Sequence, residues 1–151
     1  MKKLLSLILL LTVIVALVSC GRTQSAYSML SEFITLYGAE GVIYSPECPE
    51  GSDGYMNENM EERIFIFHGD MPKNYAVFLN SHVDAGAECG AFVCRDAAEV
   101  AEVLDMCEER MTLLGCKSPL LFRSGVTVFY STLGQQQRAE ELWTKIIRSH
   151  T

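Results

Sequence analysis

The sequence predicts an α+β domain: a small, mainly antiparallel sheet of three to four strands with helices packed on one face. Three observations carry this. Apolar residues recur at helical spacing near both ends of the folded region and again in its middle. Between the helices lie short apolar runs of strand length at 75–79, 90–94 and 126–130. Three strands cannot bury themselves, so the helices must cover the sheet.

In chain order, Ser25 to Tyr37 reads as a helix, with Ala26, Leu30, Phe33 and Tyr37 on one stripe and Gly38 as its stop. Residues 41–57 carry Pro46, Pro49, Gly51 and Gly54 and read as a loop, with a short strand at Val42-Ile43-Tyr44. Asn59 to Phe67 fits two elements: Ile64-Phe65-Ile66-Phe67 alone suggests a buried strand, whereas the capping-box spacing of Asn59 and Glu62, with Gly69 as a stop, favours a short helix. Tyr75–Leu79 and Gly90–Cys94 are apolar at consecutive positions, the mark of buried strands, and the polar segment between them suits a hairpin. Asp96 and Glu99 have cap and N3 spacing at the head of the clearest helix, whose stripe is Val100, Leu104, Cys107, Met111 and Leu114, with Gly115 as its end. Val126–Tyr130 is a strand. Thr132 and Gln135 suit the cap of a last helix whose Leu142, Trp143, Ile146 and Ile147 face inward.

The chain has 151 residues, 49% hydrophobic and 21% charged, with 12 basic and 19 acidic side chains. That composition fits one globular domain. Its N-terminus is a separate matter. Lys2 and Lys3 precede an apolar run from Leu4 to Val18, the n- and h-regions of an export signal. At about 15 residues the run falls short of the roughly 20 needed to span a bilayer. It ends in Leu17-Val18-Ser19-Cys20-Gly21, which looks like the lipobox of bacterial lipoproteins, in which the Cys is acylated with diacylglycerol and becomes the new N-terminus. The predicted organisation is a signal peptide at 1–19, a lipidated Cys20 with a short tether to residue 24, and one domain at 25–151. Two acyl chains suffice for stable anchoring. Loss of residues 1–19 removes two lysines and no acid, and moves the formal charge from −7 to −9. No basic run is left to grip phosphates, which argues against nucleic acid as a partner.

Few residues suggest chemistry. Of the five cysteines beyond Cys20, Cys107 sits on an apolar helix stripe and reads as a buried thiol. Cys48 and Cys116 lie in loops and are the candidate disulfide. Cys89 and Cys94 touch zinc-ligand spacing, with His68/Asp70 and His82/Asp84 as further candidate ligands. Against a metal, each His-x-Asp pair lies in a predicted turn, and the two thiols project to opposite sides of one strand. Glu99, Glu102, Asp105 and Glu109 form an acidic helix face, which reads first as a solvated surface. Asp53-Gly54 with Asn57, Asn59 and Glu61 misses the EF-hand spacing. Tyr27, Tyr37, Tyr44, Tyr55 and Trp143 suit either a ligand groove or the core. Ser124-Gly125 lacks the frame of a hydrolase nucleophile, and no dinucleotide, P-loop or zincin motif occurs.

Tyr55-Met56, the 75–79 strand, Glu88-Cys89-Gly90-Ala91-Phe92-Val93-Cys94, the helix through Arg110, and Tyr130-Ser131-Thr132-Leu133 with Ala139-Glu140 and Trp143 together resemble the small clostridial (Firmicute) lipoproteins built on an uncharacterised domain of unknown function. The resemblance implies a bacterial envelope setting and a small α+β domain, and it favours a helix near Phe65. It carries over no catalytic residue. The sequence thus predicts a lipid-anchored, extracytoplasmic, non-enzymatic binding or accessory module without a cofactor, whose partner is an envelope protein or small ligand. The alternative is a thiol- or metal-dependent envelope protein using Cys89, Cys94 and the His-Asp pairs.

Overall fold

The computed structural model describes residues 24–65, 71–81 and 87–150. The chain is α+β. Its elements are α1 (Ala26–Tyr37), β1 (Gly41–Tyr44), α2 (Glu58–Ile64), β2 (Asn74–Asn80), β3 (Glu88–Val93), α3 (Ala97–Leu113), β4 (Leu120–Ser124), β5 (Thr127–Ser131) and α4 (Gln136–His150). The strands form one antiparallel sheet of five, in the order β1-β2-β3-β5-β4.

Two features differ from the sequence expectation. The sheet has five strands, not three to four, and helices cover both of its faces, not one. The second difference follows from the strand pattern itself. In β2, Ala76 and Phe78 point to the layer of α1 and α4, while Tyr75 and Val77 point to the layer of α2 and α3. Strands apolar at consecutive positions need cover on each side. The additional strand is β4, at one edge, which the sequence reading left unassigned; the other edge is β1, the expected segment Val42-Ile43-Tyr44 with Gly41 before it. β4 and β5 close a hairpin with Ser124 opposite Thr127, leaving a two-residue turn in which Gly125 takes φ +58°. Positive φ at the first turn position is the role for which hairpins use glycine.

The helix termini are set by local hydrogen bonds. Ser25 caps α1 by accepting from the Ser28 N–H, and Gly38 ends it in the left-handed region. Asn57, two residues before the expected Asn59, caps α2 by accepting from the Met60 N–H, and the helix stops at Ile64. Asp96 accepts from the Ala98 and Glu99 N–H groups at 2.9 and 3.0 Å. The Glu99 carboxylate reaches back to the Arg95 N–H, one residue before the cap. Thr132, the expected cap of α4, lies four residues before the helix begins at Gln136. Its hydroxyl donates to the Glu88 carbonyl and accepts from the Glu88 N–H, joining the end of β5 to the start of β3.

The bond from the Glu99 N–H, with that from the Ala98 N–H and the nearby Arg95 charge, holds the Asp96 carboxyl below its usual value of 3.8. A folded-state value below the unfolded one gives a contribution that is complete above about pH 4 and is lost as pH falls through the folded value. Asp96→Asn, which keeps an acceptor at the cap, is therefore expected to flatten the acid limb of the stability profile below about pH 4. Thermal melts of both proteins across that range check this.

The first and last described residues, Gln24 and His150, meet at one end of the sheet. The Asn74 side chain accepts from the Ala26 N–H and donates to the Gln24 carbonyl, and the Gln24 amide donates to the His150 carbonyl. This end also holds Val93, Ser124 and Thr127. Asn80, Glu88, Leu120 and Ser131 mark the opposite end. There the Tyr37 hydroxyl donates to the Leu133 carbonyl, and the Arg138 guanidinium lies over the Tyr37 ring at 5.1 Å.

Candidate functional site

The densest polar chemistry among the described residues lies under α3. Glu88, first residue of β3, is 3% exposed and faces that helix. Its carboxylate accepts from Arg110 Nε at 2.8 Å and Nη2 at 2.7 Å, a two-pronged contact, and from the Tyr130 hydroxyl at 2.6 Å. Such a fork is the strong form of an ion pair, because two parallel bonds fix the geometry. The bond from Glu88 pushes Arg110 further toward its protonated form. Burial, followed by the Glu88 charge, pushes the Tyr130 phenol well above its usual range. Arg110 and Tyr130 are thus each held protonated near neutral pH. These contacts form a clamp that fixes α3 to the sheet.

Close backbone approach makes room for the triad. A Cβ on Gly90 would stand 2.5 Å from Tyr130 Cε1, so the phenol ring occupies space that any other residue would fill. The ring stacks on Phe92, and Phe92 stacks on Tyr75, at centroid distances of 6.4 and 5.9 Å. At the far end of this row the Tyr75 hydroxyl donates to Glu61 Oε2 on α2. Burial, aided by that bond and charge, raises the Tyr75 pKa strongly. Each end of the row is therefore pinned by a tyrosine–glutamate contact, one to α2 and one to the Arg110 clamp.

The sequence reading did not pick out this triad. A signal was present: Glu88 heads an otherwise apolar strand, and Arg110 follows Cys107 by three, on the apolar side of α3. The expected acidic face of α3 is also corrected. Glu99 is not on it: it is 3% exposed and bonded to Arg95 Nε, whereas Glu102, Asp105 and Glu109 are exposed. Asp105 and Glu109, with Glu108, Thr112 and Leu113, rim a shallow depression of about 540 Å³.

The candidate thiols do not converge. Cys89 lies in the α1–α4 layer, and Cys94 and Cys107 lie in the α3 layer. Cys89 and Cys94 therefore cannot share a metal. His68, Asp70, His82, Asp84 and Cys20 lie outside the described residues. The expected Cys48–Cys116 bridge is not formed, and both thiols are free. Cys48 follows β1 and Cys116 precedes β4, the two opposite edges of the sheet. Four strand spacings of about 4.8 Å separate those edges, far beyond the roughly 7 Å limit for a bridge. Tyr37 and Trp143 pack in the α1–α4 layer and Tyr44 against the α3 layer, so these three do not line one groove.

Thiol reactivity should divide accordingly. Burial, with Glu99 and Asp96 nearby, pushes the Cys94 thiol up to about 12. Burial raises Cys89 and Cys107 well above their usual range. The thiolate is the reactive form. Brief alkylation of the native protein is expected to label the half-buried Cys48 and Cys116 and to spare Cys89, Cys94 and Cys107 until the chain is unfolded. Peptide mass mapping distinguishes this from uniform labelling.

Comparison with protein-family models, with curated proteins and with solved structures returned no match for this chain.

Proposed function

We propose that the chain is a lipid-anchored extracytoplasmic module that binds an envelope protein or small ligand and carries out no turnover of its own. The observation that carries this reading is the Lys2-Lys3 start, the apolar run and Leu17-Val18-Ser19-Cys20-Gly21. Diacylglycerol on Cys20 would hold the domain at the membrane surface, since two acyl chains anchor stably. No helix among the described residues is long and apolar enough to cross a membrane.

The buried chemistry supports a binding role. Glu88, Arg110 and Tyr130 saturate one another and tie α3 to the sheet, while Glu61 and Tyr75 tie α2 to it. Such contacts make a rigid scaffold that presents its surface unchanged. The Cys20→Ser chain is expected to leave the membrane fraction and appear in the soluble extracytoplasmic fraction, with the wild type staying on the membrane. Retention of the variant on the membrane would remove the anchoring claim. Site-specific photocross-linking from the exposed face of α3, at Asp105 and Glu109, then tests the binding role. One recurrent adduct in intact cells supports it, and a uniform absence of adducts from every surface tested speaks against it.

A further inference from the structure

We infer that the end of the domain bearing Lys73, Arg123 and Val126 docks on an anionic phospholipid surface, which fixes the orientation of the anchored protein. The inference rests on lipidation at Cys20. The mature chain carries a formal −9, so an unstructured chain of this composition would be repelled by such a surface. The fold sorts the charges. Gln24 is bonded to Asn74 and His150 at one end of the sheet, and only three residues separate it from Cys20. Extended, that stretch reaches about 14 Å, so this end stays within roughly two Debye lengths of the lipid headgroups.

Exposed basic residues gather there. Lys73 precedes Asn74, Arg95 follows the end of β3, and Arg123 lies two residues before the β4–β5 turn. Arg148 lies in the last turn of α4. Between Arg95 and Arg123 the turn presents Val126, 40% exposed, with its carbonyl bonded to the Cys94 N–H. An apolar tip among basic side chains suits the boundary between headgroups and acyl chains. The acids at this end are partly engaged, and Glu32 of α1 lies 3.0 Å from His150. Glu99 is buried against Arg95, whose own side chain is 74% exposed, and Asp96 caps α3. The loop after β1 brings Glu47, bonded to Ser25, to the opposite margin, so the docked domain would tilt with β4 toward the lipid. The exposed acids of α3, Asp105, Glu108 and Glu109, sit toward the far end and would face away from the membrane, open to a partner.

The test uses the full-length chain, purified with its lipid and reconstituted into vesicles. Trp143 is the only tryptophan, and energy transfer from it to an acceptor on the lipid headgroups reports how near the domain lies. Transfer is expected to be greater on vesicles containing phosphatidylglycerol than on phosphatidylcholine alone, and high salt is expected to abolish the difference. Lys73→Gln with Arg123→Gln should lower the docked-to-undocked ratio roughly 25-fold, about fivefold per charge removed. Lys117→Gln, at the far end, should change nothing. Equal transfer on both vesicle types, or an effect of Lys117→Gln as large as that of the double variant, would overturn the inference. The salt titration on the wild type keeps the test decisive should the double variant misfold. Intact mass separates the two readings: an unacylated chain removes the anchoring reading and this inference with it, whereas an acylated chain with equal transfer removes this inference alone.

Discussion

Arg110→Met is expected to destabilise the fold by about 3–5 kcal/mol, because it leaves the Glu88 carboxylate buried without its cation. Glu88 is 4% exposed at its side chain and Arg110 18%, so little water is available to either group. The loss is a large share of the roughly 5–15 kcal/mol that holds a domain of this size together. The triple variant Glu88→Leu, Arg110→Met, Tyr130→Phe should recover most of it, since replacing a buried polar set by apolar groups of similar volume is often neutral or stabilising. Tyr130→Phe is needed in the set because its hydroxyl donates to Glu88 and would otherwise be orphaned. Urea unfolding followed by circular dichroism measures all three proteins. A loss below about 1 kcal/mol in Arg110→Met, the range of an exposed pair, would show that the clamp is solvated.

Trp143→Ala should cost about 3–5 kcal/mol, the range for truncating a large aromatic side chain in a core. Trp143 is fully buried and stacks on Phe129 at 4.0 Å between centroids, with Phe33 edge-on at 6.0 Å. Its indole N–H has no hydrogen-bond partner among the described residues. Trp143→Phe should therefore cost much less than Trp143→Ala, because it keeps most of the stacking area and deletes a donor that folding leaves unsatisfied. Calorimetric melts of the two variants give the ordering. Equal losses would mean that the N–H is satisfied in solution or that the cavity collapses in both.

What was legible in the sequence follows the range of the forces involved. Periodic apolar stripes are local, and they placed α1 and α3 to within a residue or two, while the expected cap Thr132 set the start of α4 three residues too early. The α+β class followed from them. The strand run Tyr75-Ala76-Val77-Phe78-Leu79 already carried the two-sided cover that the structure shows, since both parities are apolar. The one-face expectation weighed strand number above that pattern. β4 was missed because Leu120-Leu121-Phe122 is short and follows Pro119, and its pairing with β5 depends on the turn at Gly125. The cap of α2 slipped by two residues because Asn57 and Asn59 have the same cap chemistry, and only the fold chooses between them.

Long-range polar contacts were the hardest to see. Glu88 and Arg110 are 22 residues apart, and Glu88 and Tyr130 are 42 apart. Nothing in spacing links a strand acid to a helix base across that distance. The Cys48–Cys116 pairing failed for the same reason: loop placement suggested availability, but sheet order put the loops at opposite edges. The divergence of Cys89 and Cys94 was legible, because alternation along a strand is a local rule. That Lys73, just before β2, and Arg123, on the edge strand β4, lie toward the same end of the sheet is likewise invisible without the strand order.

Anchoring at Cys20 is tested most directly by the intact mass of the protein extracted from its own membrane, compared with the mass after deacylation. The expected product is a chain beginning at Cys20, lacking Met1 to Ser19, and heavier than its sequence by a diacylglycerol group. A chain that retains Met1 to Ser19, or one cleaved but carrying no lipid, would contradict it.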